Sequence, residues 1–155
     1  LRDTHAVICC LSTTHRDRFV QAIKALDFSF ATLIHPTATV SKKSTVGEGT
    51  SLNIGCIVAG FTQVGRYVQV NRGVTIGHHT VIEDYVTLQP GANIAGNCHL
   101  GTQTYIGIGA TVVDGIRIGA HCVVGAGAVV TQEVPDRVLV VGVPAKVVKE
   151  GIDGK

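Results

Sequence analysis

At 155 residues and a formal net charge of +2, the chain is long enough for one well-buried domain and too mildly basic to argue for nucleic acid or a membrane surface. Its composition is 45% apolar but only 5% aromatic, with 19 Gly and neither Met nor Trp, so the core must be built from Val, Ile, Ala and Thr, which suit pleated strands. No apolar run approaches the roughly 18 residues of a membrane span, no signal-peptide core opens the chain, and five cysteines without a CxxC read as reduced cytoplasmic thiols rather than a zinc knuckle.

Residues 1–39 form an N-terminal segment that reads as β-α-β. "HAVICCL" has the character of a buried strand, with Cys9 and Cys10 adjacent and unsuited to pairing with each other. Thr13 or Thr14 is placed to cap a helix running to about Leu26, with Phe19, Val20, Ile23 and Leu26 on one face. "FSFATLIH" is a second strand, ended by Pro36. This is half of a doubly wound unit without the glycine-rich phosphate loop, and the first residue is Leu1 rather than Met, as in a chain that begins inside a longer protein.

From Val40 to Val130 every sixth residue is aliphatic, sixteen positions without a slip. Two places before each stands a mostly small residue, such as Ser44, Thr50, Cys56, Thr80, Cys98 or Cys122, and the place after is often Gly. Residues two apart in a strand point the same way, so both the aliphatic and the small residue enter one core, while the intervening corner takes Gly, Asn or Asp. Residues 40–131 are therefore a parallel β-helix of about five coils, each of three hexads or 18 residues. Cys56, Cys98 and Cys122 are then core fillers in different columns, Asn53, Asn71 and Gln89 share one column, and Arg66 and Asp84 share another as a surface ion pair. Against this beat, "GHH" sets His78 and His79 side by side at a corner, with Gly96 one coil above His78 and Asn97 above His79.

After Val130 the frame breaks. Residues 132–155 read as an outer loop, a strand near Val138–Val141 and a short helix starting at Pro144.

Hexads followed by "GVPAKVVKE" resemble the hexapeptide acyltransferases that use acetyl-CoA, and "LIHPTATVS", "NRGVTIGHHTVIEDYV", "PGANIAGNCHLG" and "VVGVPAK" in that order resemble the sialic-acid O-acetyltransferase and UDP-4-amino-sugar N-acetyltransferase family. The resemblance spans roughly residues 4–150. It implies a left-handed coil and a cytoplasmic homotrimer with acetyl-CoA in a groove between subunits. His78 matches the general base and Asn71 a substrate contact. Gly96, Ile108 and Ala126 match backbone contacts to acetyl-CoA, with Gly142, Pro144 and Lys146 near its distal end. In relatives an acidic residue follows the base, where this chain has His79, and a second His touching acetyl-CoA stands where it has Thr87. The glycine-rich N-terminal segment of relatives, part of their sugar-nucleotide-binding domain, is absent.

The chemistry is consistent with these residue types. Direct attack of a sugar amine or hydroxyl on a thioester needs a base that titrates near neutrality, as imidazole does, and N–H donors for the oxyanion, which a glycine corner supplies. A side chain at position 96 would block the space over His78. A β-helical zinc enzyme of the carbonic anhydrase type is disfavoured because His78, His99 and His121 fall in three different columns, so no metal is expected. The alternative from another class is a catalytically silent β-helix for assembly or sugar-nucleotide sensing.

Overall fold

The computed structural model describes residues 6, 7, 9 and 14–155. Seventeen two-residue strands, from Leu33–Ile34 to Val129–Val130, recur every six residues and stack into three parallel sheets. The result is a left-handed parallel β-helix of about six turns. Register is an 18-residue offset throughout: Thr75 and Ile76 pair with Ile57 and Val58 below and with Asn93 and Ile94 above.

The count exceeds five because the helix extends past both ends of the uninterrupted frame. The expected single strand "FSFATLIH" is divided: Ser29–Phe30 pairs with Ala6–Val7, while Leu33–Ile34 joins the β-helix against Ser51–Leu52. Ile34 lies six residues before Val40, so its backbone is already in phase. At the other end Val134 bridges Ile118, and Leu139–Val141 adds a strand beside Val123–Val124. The helix expected at Pro144 is instead a strand, Lys146–Lys149, antiparallel to Leu139–Val141. Its β-branched pair Val147–Val148 suits a pleated edge, and pairing there satisfies backbone groups that a short exposed helix would leave to water.

The interior holds the aliphatic column and the small slot together. Leu52, Val58, Ile76, Leu88, Ile106, Ile118 and Val124 are all at most 2% exposed. The small slot has a second function. Thr50, Thr62, Thr80 and Thr104 each donate their hydroxyl to the carbonyl fifteen residues on, at Gly65, Gly77, Ala95 and Gly119. Cys56 and Cys98 do the same with their thiols, to Asn71 and Val113. These corner carbonyls would otherwise be buried without a partner. Cys56, Cys98 and Cys122 are all buried and form no disulfide with one another, as their column positions required.

The N-terminal segment lies against one edge of the β-helix. A 3₁₀ turn, Thr14–Arg16, leads into a helix, Asp17–Lys24, that buries Val20 and packs Phe19 and Ile23 against Phe30 and Tyr67. Leu26, expected on that face, is 63% exposed. Thr14 does not cap this helix; its hydroxyl donates to the backbone carbonyl of Lys155, tying the two ends of the chain together. The strand expected over "HAVICCL" is seen at Ala6–Val7, and the rest of that stretch, with Thr13, lies outside the described residues. Among the described residues, no helix is long and apolar enough to cross a membrane.

Candidate active site

Each coil has three corners, and each corner is a two-residue turn whose second residue usually has positive φ. On the corner after the sheet containing Leu52 and Val70, that residue is Gly in five successive coils: Gly55, Gly73, Gly91, Gly109 and Gly127. On the other two corners non-glycine residues accept the left-handed conformation, among them Phe61, His79 and Asn97 on one and Tyr67, Tyr85, Gln103 and His121 on the other. His79 has φ 55°, so the backbone turns under it and both histidine side chains leave the core.

The histidine corner is made of two stacked columns. In one, Gly60, His78, Gly96 and Asp114 follow at successive coils; in the other, Lys43, Phe61, His79 and Asn97. The rings of Phe61 and His79 stack with centroids 4.8 Å apart, and Lys43 Nζ sits 4.9 Å from the Phe61 centroid. His79 in turn fixes His78: their Nδ1 atoms are 3.1 Å apart and the rings are edge-on at 84°. One of the two must carry the shared proton, and when His78 Nδ1 donates it, His78 Nε2 is left with a free lone pair. Backbone hydrogen bonds from His79 N to Gly60 O and from Asn97 N to His78 O hold the turn from both sides.

Gly96 is required above the imidazole. A Cβ there would lie 2.8 Å from His78 Cε1 and 2.9 Å from Nε2, closer than real contacts allow. It would also lie 2.9 Å from Oδ1 of Asp114, whose carboxylate is anchored by Asn97 Nδ2 at 3.4 Å. Beneath the pair, a groove of about 440 Å³ is lined by Lys43, Thr45, Phe61, Thr62, Gln63 and His79. His79 lines this groove and contacts His78, so the histidine pair stands at the groove's edge.

The remaining residues singled out in the sequence are dispersed. Asn71 lies on the glycine corner of the same coil and lines a small pocket with Ser51, Asn53 and Gln69. Ile108 and Ala126 are exposed, one above the other, on that same glycine corner, so a single chain does not bring them to His78. Gly142 and Pro144 are in the turn before the last strand, which carries Lys146 on an exposed edge. Thr87 requires a correction. It is fully buried, and its hydroxyl accepts a 2.9 Å hydrogen bond from Arg16, so it is packed under the N-terminal segment and does not face a ligand groove. Its outward strand position, opposite Gln69 and Tyr105, put it on the covered sheet.

Phe61 and Asp114 escaped the sequence reading, although both were accessible to it: they lie 18 residues before His79 and 36 after His78. Among the described residues, no group of three or more His, Cys, Asp or Glu is arranged to hold a metal ion. Two other histidines on the β-helix have ionic neighbours, His99 Nε2 at 2.8 Å from Glu83 and His121 Nδ1 at 3.2 Å from Asp153, and His35 Nδ1 is hydrogen-bonded to Thr37.

Residues 97–132 match the family model described as bacterial transferase hexapeptide (six repeats). No curated protein sequence matches significantly. Among solved structures, a variant of perosamine N-acetyltransferase from Caulobacter crescentus, in complex with CoA and GDP-perosamine, is 34% identical with TM-score 0.85, over 90% of this chain and 67% of that one. The acetyltransferase domain of PglB from Neisseria gonorrhoeae, in complex with acetyl coenzyme A, is 30% identical with TM-score 0.92, over 96% of this chain and 73% of that one. WeeI from Acinetobacter baumannii is 30% identical with TM-score 0.87, over 89% of this chain and 68% of that one. The chain thus spans about two thirds to three quarters of these relatives.

Proposed function

The chain belongs to the bacterial hexapeptide-repeat acetyltransferases, and from that membership we propose that it moves the acetyl group of acetyl-CoA directly to a sugar, with His78 as general base. It is an acyltransferase, and its acceptor is a sugar or nucleotide-linked sugar, an amine in the first instance and a hydroxyl in the second. The observation that carries this reading is the exposed His78 imidazole, held at Nδ1 by His79 and opening at Nε2 onto the Gly96 notch.

The step balances without a covalent enzyme intermediate. The acceptor nitrogen (or oxygen) attacks the thioester carbonyl carbon, and His78 Nε2 takes the proton from the attacking atom. The new N–C or O–C bond forms, the C–S bond breaks, and the imidazolium returns the proton to the departing thiolate as CoASH. Backbone N–H groups near Gly96 are the oxyanion donors. The buried cysteines take no part: burial pushes the thiols of Cys56, Cys98 and Cys122 up, away from the thiolate form.

We assign Gly96, Ile108 and Ala126 to the acetyl-CoA groove, with Gly142, Pro144 and Lys146 toward its distal end. Because Ile108 and Ala126 are on a different corner from His78, the groove needs two chains, which supports a homotrimer with three composite sites. Asn71 is assigned to the acceptor or to the corner that supports it. Reduced thiols and an acetyl-CoA substrate both favour the cytoplasm. The test is a panel of amino sugars, UDP-linked amino sugars and sialic acids, read by CoA release. Release with at least one acceptor is expected; acetyl-CoA binding with release from none would instead support a silent module.

A further inference from the structure

We propose that Asp114 is a substrate-binding residue that selects a primary amine over a hydroxyl, completing with His78 Nε2 a two-sided receptor for the acceptor's ammonium group. This rests on the reading of His78 as the base. Asp114 Oδ1 and His78 Nε2 each lie 2.9 Å from the Cβ that Gly96 lacks, so they flank the outer face of Gly96 and are no farther apart than two hydrogen bonds end to end. Asn97 holds the carboxylate, and Gly96 itself is buried between the two groups.

Such a gap matches one polar atom with at least two hydrogens. A sugar ammonium carries three N–H donors and a positive charge; one N–H reaches Asp114 and another His78. A hydroxyl carries one hydrogen, so it satisfies one side and leaves the carboxylate facing an oxygen. The same carboxylate lies beside the developing imidazolium, which takes the place of the anionic support that relatives place next to the base and that His79 does not supply when neutral. Protons balance as follows. The ammonium loses its first proton through His78 to solvent. The neutral amine, still donating to Asp114, then attacks, and His78 takes its second proton for the leaving thiolate. The net products are amide, CoASH and one released proton.

The test compares Asp114→Asn with the unmodified protein, using those panel acceptors that turn over and acetyl-CoA titration as control. For an amine acceptor, kcat/KM is expected to fall about 10-fold or more, chiefly through KM, while acetyl-CoA affinity is unchanged. Discrimination against the matching hydroxyl sugar is expected to shrink. Unchanged kinetics with an amine in a protein whose His78→Ala variant is inactive would overturn this inference alone. So would parallel loss of acetyl-CoA binding, or turnover of hydroxyl sugars with no amine. CoA release from no acceptor would remove the proposed function and this inference together.

Discussion

The two corners that carry non-glycine turns use the same backbone for opposite ends. His79 and His121 both occupy the second turn position, with φ of 55° and 56°. Each corner has an aromatic stack, Phe61 on His79 at 4.8 Å and Tyr67 on Tyr85 at 5.2 Å. On the tyrosine side, however, polar side chains are engaged with one another. Arg66 makes a paired contact with Asp84, Tyr67 donates to Glu48, and Lys155 both caps the Tyr105 ring and bonds its hydroxyl. Arg16 inserts beneath the stack, fully buried, donating to Tyr67 O, Thr87 Oγ1 and Val86 O. Burial pulls its guanidinium down to about 10. On the proposed assignment the histidine corner is the one left open for chemistry, and the N-terminal segment and Lys155 cover the other. Residue type alone does not decide the role; what is stacked over the turn does.

The largest effect that would break this contrast is at glycine. Gly96→Val should abolish turnover while the protein still melts cooperatively, because the clash is with a movable imidazole and an exposed carboxylate. Gly101→Val, whose Cβ would lie 2.6 Å from the backbone at Gly119 and Ala120, should instead fail in folding. Equal loss of stability in both variants, by thermal melting, would erase the distinction.

His78→Ala should lose about 10²-fold or more in turnover, with little change in melting temperature. His121→Ala should keep full turnover and lose only the modest stability of its Asp153 contact, about 1 kcal/mol or less. If His78→Ala stays active and His79→Ala does not, the roles of the pair are exchanged.

Arg16→Ala should cost on the order of 1–3 kcal/mol, since it takes this donor from the buried Tyr67 carbonyl and Thr87 hydroxyl, while Val86 O keeps its bond from Gln69 N. Amide exchange should show the Asp17–Lys24 helix released first, with kcat per folded molecule unchanged. A fall in kcat would mean the sealed corner communicates with the open one.

The smallest effects concern charge. His79→Asp should preserve or raise activity, because Asp tolerates positive φ and restores an anion beside the base. On the tyrosine side, the hydrogen bond from Tyr67 holds the Glu48 carboxyl below its usual 4.5. Its contribution is then full above the unfolded value and lost as pH falls through the lower folded one. Melting temperature should decline over that acidic window, and less so in Glu48→Gln.

Most of the β-helix was legible because its signal is additive: one aliphatic every six residues, repeated until chance is excluded, fixes coil length, core and column membership. His78 under Gly96 followed from that count, and so did the structural role of the cysteines. What did not follow depends on particular contacts. A lone arginine such as Arg16 reads as solvated until its acceptors are seen. "FSFATLIH" contains no break, because Leu33–Ile34 leaves its neighbour only when the next coil offers a partner. Pro144 signals a helix start locally, yet an unpaired sheet edge nearby is a stronger attraction for Val147 and Val148. Thr87 aligned with a ligand contact in relatives, but alignment carries no information about the segment folded over it.

The donation from Thr50, Cys56, Thr62, Thr80, Cys98 and Thr104 to the carbonyl fifteen places ahead has an arithmetic consequence. It makes the chain a counter in which phase, and not neighbourhood, gives a residue its address. Deleting six residues between His78 and Gly96 would keep the hydrophobic beat and much of the stacking. It would also turn the notch by a third of a revolution, so that the base would face the wrong residue. Only a change of 18 residues leaves the fold in phase, and a deletion of 18 that begins just after His78 removes Gly96 itself and sets Asp114 over the imidazole. Length variation in this chain is therefore tolerated by the architecture long before it is tolerated by the reaction.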